Sequence, residues 1–295
     1  MYKFSDEVNV DSEGREIRKH GDLDYPVACY YNDMNKDLVI WHWHEEFELI
    51  IVKRGSVKIS VGSVEEILKE GDGCFINSNV AHSVLKVDEQ QEGIINSIVF
   101  HAKLIGGRHS IYWKKYLKPL IDSKKRQFMI FKSTEDKEIT QLIQTAWQTE
   151  AEEKSGFEFE VRNFLSRIIF LISEGECKKD YIPTVREIRD MERTKAMITF
   201  IENHFKDEVS LSQISRVVAV SEGECLRCFK RVTGITPIRF MKEYRLIRAA
   251  EQIRTTRQNI SEIAEDCGFL DMSYFAKSFK AIFKESPTEY RNANI

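Results

Sequence analysis

Apolar positions along the chain keep two different periods, and the change falls near residue 110. From about 25 to 105 they form short runs or alternate every second residue. The run 48–52 predicts a buried strand, and Val57-Lys58-Ile59-Ser60-Val61 alternates as a half-buried one. Gly55 and Gly62 punctuate turns, Glu70-Gly71-Asp72-Gly73 marks another before Cys74-Phe75-Ile76, and 94–100 adds one more strand. Short strands at this spacing predict a sandwich or small barrel. Beyond 110 the period is helical. The stretches 136–149 and 157–173 are amphipathic, and the second holds more large apolar residues than one exposed helix justifies. It either packs on the β domain or joins two chains, and the pattern admits both. A polar stretch, 173–180, reads as a linker, and helices resume near 187 and run to the end.

The last hundred residues repeat. Phe229-Lys230-Arg231-Val232-Thr233-Gly234-Ile235-Thr236-Pro237 is answered by Phe279-Lys280-Ala281-Ile282-Phe283-Lys284-Glu285-Ser286-Pro287, fifty positions on. Upstream, Leu211-Ser212-Gln213-Ile214-Ser215 is answered by Ile260-Ser261-Glu262-Ile263-Ala264 at an offset of forty-nine. The copies therefore differ by one residue in the turn between their helices, and each reads as helix-turn-helix. In the first, Leu211, Ile214, Val217 and Val218 are expected on the inner face of a scaffold helix, with Ser221 as N-cap of a reader packing Cys225, Phe229 and Val232 inward. Gly223, Leu226, Arg227 and Lys230 are then left toward DNA. In the second, Asp271 caps a reader with Phe275, Phe279 and Phe283 inside and Met272, Ser273, Ala276, Lys277 and Lys280 outside. Arg227 is the candidate for direct base readout, Ser273 and Lys277 follow, and Lys230 and Lys280 suit phosphate contacts. A helix from 238 to about 255 joins the copies. At 1.5 Å per residue it spans about 27 Å, near the ~34 Å between successive major-groove faces.

Composition fits this division. A chain of 295 residues suits two domains, and 42% hydrophobic with 31% charged residues excludes disordered and fibrous classes. The net charge of −3 hides an asymmetry, because residues 191–295 carry 17 Lys and Arg against 14 Asp and Glu. A mildly basic end on an acidic body suits a part that meets phosphate. The N-terminus shows acids (Asp6, Glu7) and no long apolar segment, so no export signal or membrane span is expected, and scattered cysteines are expected reduced in a cytoplasm. Cys225-x-x-Cys228 has no second pair and no nearby His, so it reads as core rather than as a zinc or redox site.

Residues 191–291 resemble the AraC/XylS family of bacterial transcription regulators. The resemblance rests on Ile263-Ala264-x-x-Cys267-Gly268-Phe269-x-Asp271-x-Ser273-Tyr274-Phe275-x-Lys277-x-Phe279-Lys280, on Ser286-Pro287-x-x-Tyr290-Arg291, and on the Gly234-x-Thr236-Pro237 corner. Three positions depart from the family. Lys284 stands where the first copy has Gly234, Cys225 replaces a larger core residue, and Leu226 replaces a polar base reader. The second reader is therefore expected to discriminate more than the first.

The β region carries His42-Trp43-His44-Glu45-Glu46-Phe47-Glu48, then Gly55, and later His82. On a strand, His42, His44 and Glu48 share one face, and a third imidazole from a neighbouring strand would complete a set for Zn²⁺, Fe²⁺, Mn²⁺ or Ni²⁺. The spacing resembles the cupin signature, whose ligand positions fall on His42, His44, Glu48 and His82. The second motif departs from it, since Asn77 and Asn79 stand for its usual Pro and Gly. Three readings stay open: a divalent metal site, a metal-free effector pocket of His42, Trp43, His44, Glu48 and His82, and a structural polar cluster. Trp41 or Trp43 suits stacking on a sugar ring or packing in the core.

The expected fold is α+β in two domains: a cupin-like effector-binding β-barrel (1–109), a helical dimerisation region (110–175), a linker (176–190) and an all-α double helix-turn-helix domain (191–295). The resemblance implies a non-enzymatic, ligand-responsive regulator of carbohydrate or related genes. Its expected partners are promoter DNA, a small effector such as a sugar, a second copy of the chain, and RNA polymerase if it activates. The competing class is a metal-dependent cupin dioxygenase or isomerase with an accessory helical domain.

Overall fold

The fold was analysed in a computed structural model that describes residues 3–4, 20–22, 24–62, 64–88, 91–175 and 184–294. The described residues form two compact units, dividing after Val185. In the first, β1 (Lys3–Phe4), β2 (Val27–Asp33), β3 (Val39–His42), β4 (Phe47–Val61), β5 (Val64–Lys69), β6 (Gly73–Ile76), β7 (His82–Lys86) and β8 (Gly93–Phe100) build a barrel. The expected turn at Gly55 is not a turn. Strand β4 runs through it for 15 residues, with a register shift between Val52 and Arg54. Its first half pairs with β6 and β8, its second with β5 and β7, so one strand serves both walls. Gly55 permits this bend: it sits at φ 72°, and a Cβ there would fall 1.8 Å from the Glu92 carbonyl oxygen.

After a helical stretch ending in α1 (Lys118–Ile121), the strand β9 (Phe128–Phe131) joins the barrel edge against β6, so the 110–175 region is not wholly helical. Helices α2 (Lys137–Glu152) and α3 (Phe157–Glu174) follow. Val161, Leu165, Ile168, Ile169 and Ile172 of α3 are buried in one core with Phe47, Leu49, Phe75 and Phe100. The broad apolar face is thus spent on the chain's own barrel, as burial of large aliphatics favours. Phe159 and Phe170 remain exposed on this helix.

The second unit holds α4 (Val185–Asn203), α5 (Leu211–Val217), α6 (Glu222–Thr233), α7 (Pro237–Thr255), α8 (Ile260–Asp266), α9 (Met272–Phe283) and α10 (Pro287–Asn294). Of the expected linker, 176–183 lie outside the described residues, and from Val185 onward the chain is already helical. The helix is anchored early, because Asp190 is buried and paired with Arg231 at 2.9 Å. Ser221, Thr236 and Asp271 cap α6, α7 and α9 as their sequence positions predict. The turn from α5 to α6 is one residue shorter than that from α8 to α9, which is the shift between the two offsets. Val217 is a correction: it is 43% exposed, and Ser215 is buried in its stead, because Ser215 follows Ile214 directly around the inner face of the short α5.

Candidate functional site

Within the barrel, His42, His44, Glu48 and His82 are all buried, and one ligand atom from each lies within 4.8 Å of the others. The arrangement differs from one strand face. His42 ends β3, residues 45–46 bend, and Glu48 is the second residue of β4, while His82 starts β7 directly opposite His42. The bend, which lets the chain change walls, replaces even strand spacing as the means of convergence.

Each imidazole is oriented by a main-chain carbonyl: Nδ1 of His42 lies 2.8 Å from the Ile40 oxygen, that of His82 2.9 Å from Val80, and that of His44 3.2 Å from Glu46. A carbonyl only accepts, so each Nδ1 carries a proton, and Nε2 is left to bind a cation in the neutral ring or to donate in the protonated one. Those of His82 and His44 face Glu48 Oε2 at 2.8 and 3.2 Å. Contacts as short as 2.8 Å between His82 Nε2 and Glu48 Oε2 call for a positive charge beside them, either a proton on the ring or a metal ion in its place. Burial alone would raise the Glu48 carboxyl, but hydrogen bonds and charge from His44 and His82 hold it well below the usual carboxylate range. Imidazoles fixed through Nδ1 and converging on one carboxylate fit a divalent metal, which would supply that positive charge.

Other expectations change. Trp41 and Trp43 are 4% and 6% exposed, so neither presents an open ring for stacking, in keeping with the core alternative. Asn79, at the cupin glycine position, adopts φ 60°, a left-handed conformation that Asn tolerates. Asn77 is structural: its amide donates to the Leu120 and Arg126 carbonyls at 2.7 and 3.1 Å. Sequence spacing gave no hint of His20, which is buried, lies 2.9 Å from the Tyr30 hydroxyl and packs edge-on to His44 at 5.0 Å.

In the second unit, Gly223, Arg227 and Lys230 of α6 and Met272, Ser273, Lys277 and Lys280 of α9 are exposed, while Leu226 and Ala276 are half-buried. The structure thus leaves the charged candidates accessible on both readers. Leu270 and Tyr274, not foreseen as exposed, are 88% and 52% accessible beside the start of α9. Cys225 and Cys228 are fully buried. Burial pushes the Cys225 thiol up, and burial and Asp190 push Cys228 up to about 11, so neither is a thiolate nucleophile at neutral pH. Among the described residues no helix is long and apolar enough to cross a membrane.

Residues 214–293 match the helix-turn-helix domain family and residues 35–95 the cupin domain family. The uncharacterized HTH-type transcriptional regulator YdeC of Bacillus subtilis is 24% identical over 295 residues, covering 97% of this chain and 98% of YdeC. The HTH-type transcriptional activator RhaS of Mannheimia succiniciproducens is 36% identical over 100 residues, 34% of this chain and 37% of RhaS. A crystal structure of ToxT from Vibrio cholerae aligns with 91% of this chain and 98% of its own, at 14% identity and a TM-score of 0.49.

Proposed function

We propose, since this chain belongs to the AraC/XylS family of helix-turn-helix transcriptional regulators and carries a cupin domain ahead of its reader, that a small molecule bound in the barrel changes how the reader engages promoter DNA. A regulator rather than an enzyme is the reading supported by a relative that matches 97% of the chain, an uncharacterized HTH-type transcriptional regulator. The convergence of three carbonyl-oriented imidazoles on Glu48 carries the sensor half of this reading. His42, His44, Glu48 and His82 would hold a divalent metal, and the metal would offer a Lewis-acidic point to hydroxyl or carboxylate oxygens. A polyhydroxylated metabolite such as a sugar is the effector class this chemistry suits.

The effector must bind two arrangements of the protein with different affinity, or it shifts nothing. Residues 1–109 form the sensor, 110–175 its helical support, and 191–295, extended back to Val185, the DNA reader. The protein acts in the cytoplasm as a homodimer, with Phe159 and Phe170 on the face of α3 that its own core leaves exposed. As an activator it would also meet RNA polymerase.

Thermal unfolding against a panel of sugars and sugar acids, with and without chelator, tests the sensor half. The expected result is a raised midpoint that chelator abolishes. The reading fails if no compound moves the midpoint and the purified protein holds no stoichiometric metal. The DNA half is tested by mobility shift on the chain's own upstream DNA, where salt-sensitive, sequence-dependent retardation is expected.

A further inference from the structure

An ionic chain runs from the start of the second unit to the outer face of the first reader. The buried carboxylate of Asp190 on α4, only 4% exposed, accepts from Arg231 Nε at 3.0 Å, and Arg231 Nη2 lies 2.9 Å from the same oxygen. Arg231 Nη2 also reaches Glu224 Oε1 at 3.3 Å. The other oxygen of Glu224, Oε2, accepts from Arg227 Nε at 3.1 Å and Nη2 at 3.0 Å. Arg227 itself stays 64% exposed.

The order of atoms matters. A guanidinium is a planar fork with two usable edges. Glu224 occupies the Nε–Nη2 edge through one N–H of each nitrogen, which leaves Nη1 and the outer N–H of Nη2 without a hydrogen bond to any described residue. That free edge lies back along α6 beside Gly223, whose ideal Cβ position is 3.5 Å from Nη1. It therefore faces the N-terminal turn of the helix, the part of a reader that meets base edges. A bidentate contact to guanine O6 and N7 needs two parallel N–H donors, which this edge supplies.

We propose that Glu224 is a positioning residue for base readout: held by Arg231 and Asp190, it fixes the Arg227 guanidinium so that its free edge reads one guanine. This role rests on the regulator reading above. Holding a long, flexible side chain before DNA arrives removes part of the ordering cost of the contact. The second reader has no counterpart, since the fifty-residue offset places Tyr274 at Glu224, Lys277 at Arg227 and Ala281 at Arg231. Glu224 is ionised to do this, because Arg227, against a small opposing effect of burial, and then Arg231 lower its carboxyl.

Selection of the full-length protein from a randomised duplex pool, followed by affinities for every single-base change of the consensus, tests the proposal. Wild type, R227A, E224Q and D190N are compared, each checked by its thermal midpoint. R227A should abolish the preference at one G·C pair. E224Q, an isosteric change at a half-buried side chain, should relax the same pair by roughly 5-fold or more and leave other pairs and the salt slope unchanged. D190N should relax that pair in the same direction. Wild-type discrimination in E224Q overturns the proposal, as does tighter binding, which would make Glu224 a mask. Loss at a different pair overturns it too, since Glu224 would then read its own base. A wild-type selection with no consensus sinks the DNA reader itself, and this role with it.

Discussion

Gly234 and Lys284 close corresponding reader helices in the same left-handed conformation, at φ 75° and 64°. A Cβ at Gly234 would meet nothing within 4 Å, so the corner asks only for backbone freedom, which Lys lacks. The turns inside the two motifs reverse the assignment: Ala219 stands at φ 51° in the first and Gly268 at φ 78° in the second. Each copy thus keeps glycine at one of its two left-handed corners. K284G and A219G should each raise stability by about 1 kcal/mol in urea unfolding of the second unit's transition. A fall in either midpoint would show that the side chain contributes more than its conformation costs.

Gly268 is a different case. A Cβ there would sit 2.8 and 2.9 Å from the carbonyl oxygens of Phe205 and Lys206, so strain and close approach act together. G268A should cost more than G234A, by roughly 1–3 kcal/mol where backbone must shift. Equal losses in the two variants would mean that the Phe205–Lys206 segment yields freely.

Asp72 ties the Gly71 turn to the segment after β9. Its carboxylate accepts from Ser133 N at 3.0 Å, Lys132 Nζ at 2.9 Å and Lys69 N at 3.2 Å. Burial opposes ionisation, but these donors prevail and hold the carboxyl below its usual value. A depressed folded-state value means stability that is present above the unfolded value of about 3.9 and lost as pH falls through the folded one. D72N should therefore destabilise by about 1.5–3 kcal/mol at neutral pH, with the gap to wild type narrowing below about pH 4. Urea midpoints measured across pH 2.5–7 check this, and a gap independent of pH would assign the loss to packing.

How much of this was legible in advance depended on whether one element or several set a position. The reader caps Ser221 and Asp271 and the inward Phe229, Phe279 and Phe283 follow from local spacing and were readable. The four cupin ligand positions were readable as a motif, but their geometry was not. They meet through the bend after His42 and a strand that serves two walls, and that depends on where Gly55 can approach Glu92. Strand β9 escaped notice because its four residues pair only with a distant β6 edge. Asp190 falls within the expected linker because nothing local marks it; its partner Arg231 lies 41 residues on.

The two readers should leave unequal marks on DNA, and the ionic chain alters the expected balance. Sequence favours the second, with its fuller family phrase and the polar pair Ser273 and Lys277. Structure gives the first a guanidinium fixed at one edge and free at the other, whereas Lys277 offers a point charge without a planar fork. The first half-site should therefore show one steeply specified G·C pair, and the second a shallower preference spread over several positions. K230A and K280A, by contrast, should weaken binding to all sequences alike and each lower the salt slope by about 1, as loss of a phosphate contact does. Footprints and single-base affinities at two salt concentrations decide between these outcomes. Base-specific losses in K230A, or equal steepness across both half-sites, would overturn this division of labour.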